Sequence, residues 1–306
     1  MVGKMVTGKQ FRLTSDELGR WDRDGYLVRL NVFSMEENDV LRQVAEDIVD
    51  GKRPFPIVHI DHNALIGVGN AERTGIYAMH KIHHPSSYST EFLFRTPDPR
   101  LTDPLVDLLG PDLLGINNLF IWKSPEIGLG FPWHQDKFYF RSRFRTETTV
   151  GTWMSIDAAD QENGCLYVIP GSHKKKAVHD FFPDSNNLAG QGQTTRDVDE
   201  SEAVYAKLRA GQVVFHHESV VHSSLPNKAD RPRIGFSIHY CAPHVRETRF
   251  DGATAMLLRG EDPYGYWKPD PMPKTDFDPD CIQAMLDYRQ RFKDATDQKV
   301  VDGLRT

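Results

Sequence analysis

The sequence has few cysteines and no long apolar run. Its three cysteines, Cys165, Cys241 and Cys281, are an odd number and share no CxxC spacing, which argues against a disulfide framework and against a thiolate zinc site. The compartment this favours is a reducing cytoplasm. Nowhere do 18 apolar residues follow one another, and no apolar segment follows the lysines of residues 1–12. We therefore expect neither secretion nor a membrane span.

Positive charge is also scarce. Lys and Arg number 37 against 43 Asp and Glu, a net charge of −6. This balance argues against nucleic acid or an anionic membrane as the main partner and favours a small molecule. The length of 306 residues allows two ordinary domains or one large all-β unit. Because the sequence contains no repeat and no clear boundary, we predict one domain, residues 1–306, of unspecified oligomeric state.

Two helices and a strand are predicted near the amino terminus. Thr14, followed three residues later by a carboxylate, predicts the start of a short helix that ends at Gly25. A strand is predicted at Tyr26–Phe33. Ser34 then caps a second helix with apolar residues at helical spacing. We expect residues 10–52 to form a helical support rather than a chemical site.

From Leu113 onward the sequence predicts short strands separated by turn clusters. The predicted strands are Leu113–Trp122, Trp133–Phe140, Thr148–Ile156, Cys165–Ile169, Tyr205–Leu208, Gln212–Phe215 and Arg233–Cys241. This spacing is typical of a mainly β fold, a β-sandwich or jelly roll with helices outside it, with its core at about 110–245. The polar stretch 179–203 is predicted to be a long loop, either a lid or a surface loop. Residues 246–306 are expected to form an extended tail with a helix near Ile282–Phe292.

The motif His-x-Asp occurs twice, at His59/Asp61 and at His134/Asp136. Residues i and i+2 of a strand point to the same face, so either pair offers an imidazole and a carboxylate to one ion. The second pair lies in the predicted strand Trp133–Phe140, whose alternation places both side chains on an inward face. A buried carboxylate needs a partner, which a metal would supply. We interpret the first pair as loop or edge residues.

A third ligand is expected from another strand of the same fold. His222 is the best candidate, because it ends the stretch 212–222 and precedes a turn-rich segment. Two histidines and one carboxylate on one face of an octahedral ion leave three open positions, the arrangement associated with non-haem Fe(II) oxygenases. Two of these positions suit a bidentate 2-oxo acid, and the third suits dioxygen.

A dianionic 2-oxo acid also needs a cation at its far end. Arg233 lies eleven residues after His222, at the start of a predicted strand, and can give a carboxylate a bidentate contact. The alternative is an ordinary surface arginine, as we expect for Arg231. Without a role for Arg233, a cupin-type metal enzyme that uses no co-substrate fits equally well.

Three segments carry a resemblance to a known family. They are His134-x-Asp136, the run Asn163–His173 (NGCLYVIPGSH), and His222 with Asn227 and Arg233. Together they resemble the phytanoyl-CoA dioxygenase family of Fe(II)/2-oxoglutarate-dependent oxygenases over residues 26–241. The resemblance implies a double-stranded β-helix, a jelly roll, in agreement with the strand pattern.

The resemblance also implies roles for individual residues. It implies that His134, Asp136 and His222 hold iron and that Arg233 binds the distal carboxylate of 2-oxoglutarate. By the same resemblance, three further residues line the co-substrate pocket: Ser224, Trp153 and Lys81. Their alternative roles are to shape a turn, to fill the core and to face solvent. The run Asn163–His173 is expected to be structural.

The reaction implied by the family couples conversion of 2-oxoglutarate and dioxygen to succinate and CO2 with abstraction of hydrogen from a substrate C–H bond. A related halogenase lacks the carboxylate that Asp136 supplies, so hydroxylation or another hydrogen-abstraction outcome is expected. The family acts on acyl-CoA thioesters, amino acids, compatible solutes, phosphonates and antibiotic intermediates. We expect a small polar metabolite in a biosynthetic or secondary-metabolite pathway.

Alternatives to that substrate and activity remain. The first is a CoA thioester, as for an acyl-CoA 2-hydroxylase, with Arg141, Arg143 and Arg145 as a candidate anion site or else a solvated strand end. The second is a metabolite-binding jelly roll without turnover. The third is a metal-dependent isomerase or ring-cleaving enzyme that ignores 2-oxoglutarate. Residues near the metal motif that are also expected to face the pocket are His216, His217 and Tyr139.

Overall fold

The computed structural model describes residues 10–63, 74–139, 149–175, 177, 179–181, 193–247 and 252–303. Within these ranges there are six α-helices and fifteen strands. The helices are α1 (Ser15–Asp24), α2 (Met35–Val49), α3 (Thr90–Arg95), α4 (Pro99–Leu109), α5 (Asp136–Tyr139) and α6 (Pro279–Gly303). The strands are β1 (Tyr26–Arg29), β2 (Ile60–His62), β3 (Met79–His83), β4 (Leu113–Lys123), β5 (Phe131–His134), β6 (Thr149–Ser155), β7 (Leu166–Val168), β8 (His179–Phe181), β9 (Gln193–Thr195), β10 (Val204–Ala206), β11 (Val213–His217), β12 (His222–Ser224), β13 (Arg233–Cys241), β14 (Thr254–Arg259) and β15 (Lys268–Pro269).

Most of these strands form two sheets. The nine-stranded sheet has the order β1-β11-β6-β13-β4-β14-β15, with β3 also paired to β4 and β2 paired to β3. The four-stranded sheet has the order β10-β7-β12-β5, and β8 pairs with β9. All pairs are antiparallel except β14 with β15. The fold is mainly β and of the jelly-roll type with flanking helices, which confirms the predicted fold class, although the two sheets do not close into a barrel within the described residues.

Strand β13 is buried along its whole length and separates two environments. Ile234, Phe236 and Ile238 point to one face, where they join a hydrophobic core that includes Leu41 of α2 and Phe92 of α3. The alternate residues point toward the four-stranded sheet. The strand therefore carries core residues on one face and leaves the other face for a polar site.

Both predicted amino-terminal helices are present, and each begins with a reciprocal capping box. Thr14 and Ser34 accept hydrogen bonds from backbone N–H groups three residues later, and the Glu carboxylate at each of those positions accepts one from the backbone N–H of the cap residue. Helix α1 ends at Gly25, which adopts a left-handed conformation with φ of 77°. The helical prediction here is confirmed.

Three predicted elements differ from the observed ones by more than two residues. The first strand ends at Arg29, because the N–H groups of Val32 and Phe33 both turn to the carbonyl of Gly211. The last helix extends well beyond the predicted Phe292. The strand expected over Trp133–Phe140 is wrong, because β5 ends at His134 and α5 begins at Asp136.

Strand β5 ends at His134 because the chain beyond it is hydrogen-bonded to the turn that precedes β12. The side-chain amide of Gln135 donates to the carbonyl of Ser219, and the N–H of Lys137 donates to the carbonyl of Glu218 at 3.0 Å. These bonds draw the chain out of the sheet after β5. Phe140 and the arginines at 141, 143 and 145 lie outside the described residues, as do residues 182–192 of the predicted loop 179–203. The described part of that segment is not all loop, because it contains the paired strands β8 and β9.

No α-helix in the part of the chain that the structure describes combines the length and apolar character needed to cross a membrane. The division into a support, a core and a tail within one domain stays a prediction.

Candidate active site

The three predicted metal-binding residues lie together between the two sheets. His134 ends β5 and His222 begins β12, and the two residues are direct partners in the antiparallel register. Asp136 begins α5, immediately beyond the strand. One ligand atom from each side chain lies within 4.8 Å of the others. Asp136 Oδ1 is 3.7 Å from His134 Nε2 and 3.6 Å from His222 Nε2.

Backbone carbonyls fix which nitrogen each histidine directs at the cluster. His134 Nδ1 lies 2.7 Å from the carbonyl of Pro132, and His222 Nδ1 lies 3.0 Å from that of Val220. Since a carbonyl only accepts, each Nδ1 carries a proton, and each Nε2 is the nitrogen that faces the cluster. Burial lowers the pKa of His134 to about 3, so its imidazole is neutral, as a metal ligand must be.

Asp136 is the charged member of the cluster. Burial on its own raises the pKa of this carboxyl, but His222, His239 and His216 outweigh burial and hold the pKa well below its usual range. The carboxylate is therefore ionised. Two imidazoles and one carboxylate, with no thiolate among them, form a donor set that fits Fe(II).

The cluster opens into a cavity of about 160 Å³. Its wall on the large sheet follows the antiparallel register, because directly paired residues share a face. One row across the sheet holds Lys81, Ile121 and Gly235. The next rows hold, in order, Leu119, Ser237, Trp153 and Val214, and then Asn117, His239, Gly151 and His216.

The end of the cavity nearest the start of β13 is cationic. Arg233 is 2% exposed; its Nε donates to the carbonyl of Gly164 at 2.9 Å, and its Nη1 has no hydrogen-bond partner. The guanidinium lies 4.3 Å from the ring centre of Trp153. A Cβ at Gly235 would overlap that indole ring, so a glycine is required there. Burial lowers the pKa of Arg233 to about 9, and an anionic ligand would supply the missing partner.

Lys123 is a second buried cation at this end, and sequence reasoning missed it. It pairs with Arg233 across β4 and β13. Its Nζ donates to Ser224 Oγ at 2.8 Å, to the carbonyl of Leu225 at 2.5 Å and to that of Gly164 at 3.4 Å. Burial, and then Arg233, lower the pKa of Lys123 well below its ordinary value. The sequence signal was its position directly after the predicted strand Leu113–Trp122, two residues beyond the inward-facing Ile121.

The other co-substrate candidates also lie in this cavity. Lys81 is buried on β3, and its Nζ lies 4.9 Å from the ring centre of Phe131, which belongs to the opposite sheet. Ser224 and Trp153 line the same space. Burial lowers the pKa of Lys81.

The opposite end of the cavity is polar and largely neutral. Asn117, Ser237, His216 and His239 line it, and burial lowers the pKa of His216 to about 3. The imidazole of His216 occupies space that a Cβ at Gly151 would take. Of these residues, the sequence analysis singled out His216 alone.

Several candidates lie elsewhere. His59 is buried and forms a hydrogen bond of 2.9 Å with Tyr88, and Asp61 lies 2.8 Å from His83 on the neighbouring strand. This arrangement agrees with the interpretation of that His-x-Asp pair as an edge pair. His217, which was expected to face the pocket, is not among the described residues of its wall and lies against Trp21 and His173. The side chain of Tyr139 lies outside the described part of the structure.

Comparison with known proteins decides the family. The family model described as phytanoyl-CoA dioxygenase matches residues 21–235, well over half of the chain. The chain belongs to the phytanoyl-CoA dioxygenase family. It is an Fe(II)- and 2-oxoglutarate-dependent oxygenase, with dioxygen as the second co-substrate.

Individual relatives agree with membership of the phytanoyl-CoA dioxygenase family. A probable phytanoyl-CoA dioxygenase of Caenorhabditis elegans is 27% identical over 276 residues, which cover 85% of this chain and 87% of the relative. The apo structure of ThoJ, a non-heme monooxygenase, aligns with a TM-score of 0.71 at 25% identity, covering 93% of this chain and 98% of its own. EvdO2 from Micromonospora carbonacea var. aurantiaca, complexed with 2-oxoglutarate, shares the fold with a TM-score of 0.57 at 21% identity, covering 84% and 97%.

Proposed function

We propose that this oxygenase hydroxylates a small polar metabolite, in a biosynthetic or secondary-metabolite pathway, with release of succinate and CO2. One observation carries the proposal. The candidate iron ligands lie in a cavity between an end lined by buried cationic side chains and an end lined by hydrogen-bonding groups. The first end suits a dianionic co-substrate, and the second suits a polar substrate.

We assign His134, Asp136 and His222 as the residues that hold iron. Iron bound there would supply the redox chemistry that couples conversion of dioxygen and 2-oxoglutarate to oxidation of a substrate C–H bond. The protein contributes two imidazoles held through Nδ1, one ionised carboxylate and a cavity between the two sheets.

We assign Arg233 to the distal carboxylate of 2-oxoglutarate. The supporting observation is a guanidinium that is buried, has a free Nη1 and has no acidic partner among the described ion pairs. Trp153 holds its plane by stacking. Ser224, oriented by Lys123, and Lys81 on the facing side supply further donors for the same anion.

The opposite end supports a small, polar substrate. Asn117, Ser237 and the two histidines of that wall offer amide, hydroxyl and imidazole groups, beside apolar side chains such as Leu119 and Ile121 elsewhere in the lining. The cations among the described lining residues, Lys81 and Arg233, lie at the other end. The volume of about 160 Å³ is below the 300–1,000 Å³ usual for drug-sized ligands. A cavity of this size suits a small hydroxylated or amino-bearing metabolite better than a long acyl chain.

We further propose that the protein works in a reducing cytoplasm. The three cysteines are free and buried, and none needs an oxidising compartment for its structure.

The first test is anaerobic addition of Fe(II) and then 2-oxoglutarate, followed by the weak visible charge-transfer band of the chelated keto acid. We expect a saturable band that is lost in His222→Ala and weakened in Arg233→Ala. Arg231→Ala is the matched control, because Arg231 is 41% exposed and paired with Asp160 and Glu162. Absence of the band in folded, iron-loaded wild type would contradict the assignment.

The second test concerns the substrate. Succinate formation is measured with panels of polar metabolites and of acyl-CoA thioesters, each with 2-oxoglutarate and Fe(II). We expect stimulation by members of the polar panel. Turnover of acyl-CoA alone would overturn the proposed substrate class, and tight binding of a metabolite without any succinate would favour a binding protein. Activity with iron alone, unaffected by Arg233→Ala, would favour an isomerase or ring-cleaving enzyme.

A further inference from the structure

The two oxygens of Asp136 face different partners. Oδ1 faces the Nε2 atoms of His134 and His222. Oδ2 points away from them, toward His239 Nε2 at 3.0 Å and His216 Nδ1 at 3.5 Å. We propose that His239 is a positioning residue that holds Asp136 so that Oδ1 alone is presented to the metal. This inference rests on the proposed function of the triad.

The contact between His239 and Asp136 has the geometry of a hydrogen bond. An ionised carboxylate only accepts, so Nε2 of His239 carries the proton and donates. The side chain of Asp136 is about one-tenth exposed and that of His239 is 9% exposed. In such surroundings a charge-assisted hydrogen bond is strong, and losing it leaves a poorly satisfied carboxylate oxygen.

The position of His239 in the fold makes it a rigid support. It lies in the middle of the large sheet, paired with Asn117 of β4 on one side and Gly151 of β6 on the other. The ring of His216 enters from the next strand over the same Gly151, where a Cβ would collide with it. Two imidazoles from the strands on either side of β6 thus converge on Oδ2.

The number of coordination positions explains why one oxygen should be withheld. An octahedral ion has six positions, and the two histidines and one carboxylate oxygen take three of them. A bidentate 2-oxo acid and dioxygen together need the other three. A carboxylate that gave both oxygens would leave two positions, too few for both co-substrates. Engaging Oδ2 with His239 prevents that binding mode.

Two competing roles for His239 predict different behaviour. As a direct metal ligand it would belong to the close donor cluster, yet the cluster among the described residues contains His134, Asp136 and His222. As a substrate contact alone it would affect turnover and leave metal affinity unchanged. A positioning role changes metal affinity before any substrate is present.

The experiment compares His239→Gln with His239→Asn by Co(II) titration of the apo protein, followed in the visible d–d bands. A Gln amide reaches the place of the Nε2 donor, whereas the shorter Asn amide does not. We expect His239→Gln to bind Co(II) within a few-fold of wild type and His239→Asn to bind it about 10- to 100-fold more weakly. His244→Gln is the control, because His244 is an exposed residue just beyond the end of β13.

The same variants are then examined anaerobically with Fe(II) and 2-oxoglutarate. We expect a shifted or weakened chelate band in His239→Asn and a band close to wild type in His239→Gln. Equal Co(II) affinity and equal bands in both variants, with wild type behaving as proposed, would overturn the role of His239 alone. Failure of wild type itself to bind Co(II) would overturn both this inference and the proposed function.

Discussion

Replacing Arg233 with methionine should remove co-substrate binding without destabilising the apo protein. Truncation of a fully buried large side chain ordinarily costs about 2–5 kcal/mol of unfolding free energy. Arg233 differs because its charge is buried without an acidic partner, which lowers its pKa from above 12 to about 9. At about 1.4 kcal/mol for each tenfold change, that lowering corresponds to roughly 4–5 kcal/mol of destabilisation.

The direction of this effect with pH follows from proton binding. Folding lowers the pKa of this base, so the unfolded chain holds the proton more tightly. The destabilisation is present in full at pH 7. It decreases as the pH rises through 9 toward the pKa that the arginine has in the unfolded chain. Two favourable contacts offset it: the hydrogen bond to Gly164, worth about 1.5–3 kcal/mol for a charged donor, and stacking on Trp153, worth about 2 kcal/mol.

The net expectation for Arg233→Met is an unfolding free energy within about 1 kcal/mol of wild type. Chemical denaturation at pH 7 measures it, and thermal unfolding with Co(II) and 2-oxoglutarate measures binding. Saturating co-substrate at 100 times its dissociation constant should stabilise wild type by about 2.7 kcal/mol and leave the variant unshifted. Arg231→Met, at an exposed ion pair, should keep the shift. A variant that loses more than about 2 kcal/mol yet retains the co-substrate shift would refute this reasoning.

Three further outcomes are expected. Gly235→Ala should force the indole of Trp153 to move, costing about 1–3 kcal/mol and weakening 2-oxoglutarate binding; an unchanged thermal shift with 2-oxoglutarate would contradict this. Burial raises the pKa of Glu218 from 4.5 to about 7, so the folded state favours the protonated acid. Glu218 therefore does not lower the unfolding free energy below pH 4.5 and lowers it by the full amount above pH 7. Glu218→Gln, which keeps an acceptor for Thr149, should stabilise the protein by up to about 3 kcal/mol at pH 8 and give no gain at pH 4.5 in urea unfolding. Leu41→Ala, at a fully buried position, should lower the unfolding free energy by about 2–5 kcal/mol with co-substrate affinity unchanged at temperatures where the variant is folded.

The sequence predicted much of the site because its signals are local. His134 and Asp136 are two residues apart, and Arg233 begins a strand whose predicted bounds agree with those observed. The alternation of that strand also contained Ser237 and His239, four and six residues beyond Arg233. Extending the inward face along the whole strand would have identified them.

Other features depend on distant contacts. The helix that begins at Asp136 replaces the predicted strand, since Gln135 and Lys137 bond to the turn at Glu218 and Ser219. No local sequence pattern predicts a turn that depends on hydrogen bonds to residues more than eighty positions away. Lys123 was missed for a similar reason, because its acceptors belong to segments that meet only in the folded protein.

Strand β13 gives the fold an uneven tolerance to change. Its even and odd positions serve different tasks, since Ile234 and Phe236 hold the helices while Arg233 and His239 line the cavity. A substitution at an inward position can therefore alter ligand preference and leave the helical core intact. A single inserted or deleted residue would exchange the two sets at once, placing aliphatic groups at the metal and an arginine among the helices. Point substitutions on this strand can thus change the substrate without disrupting the fold, whereas insertions and deletions in it cannot.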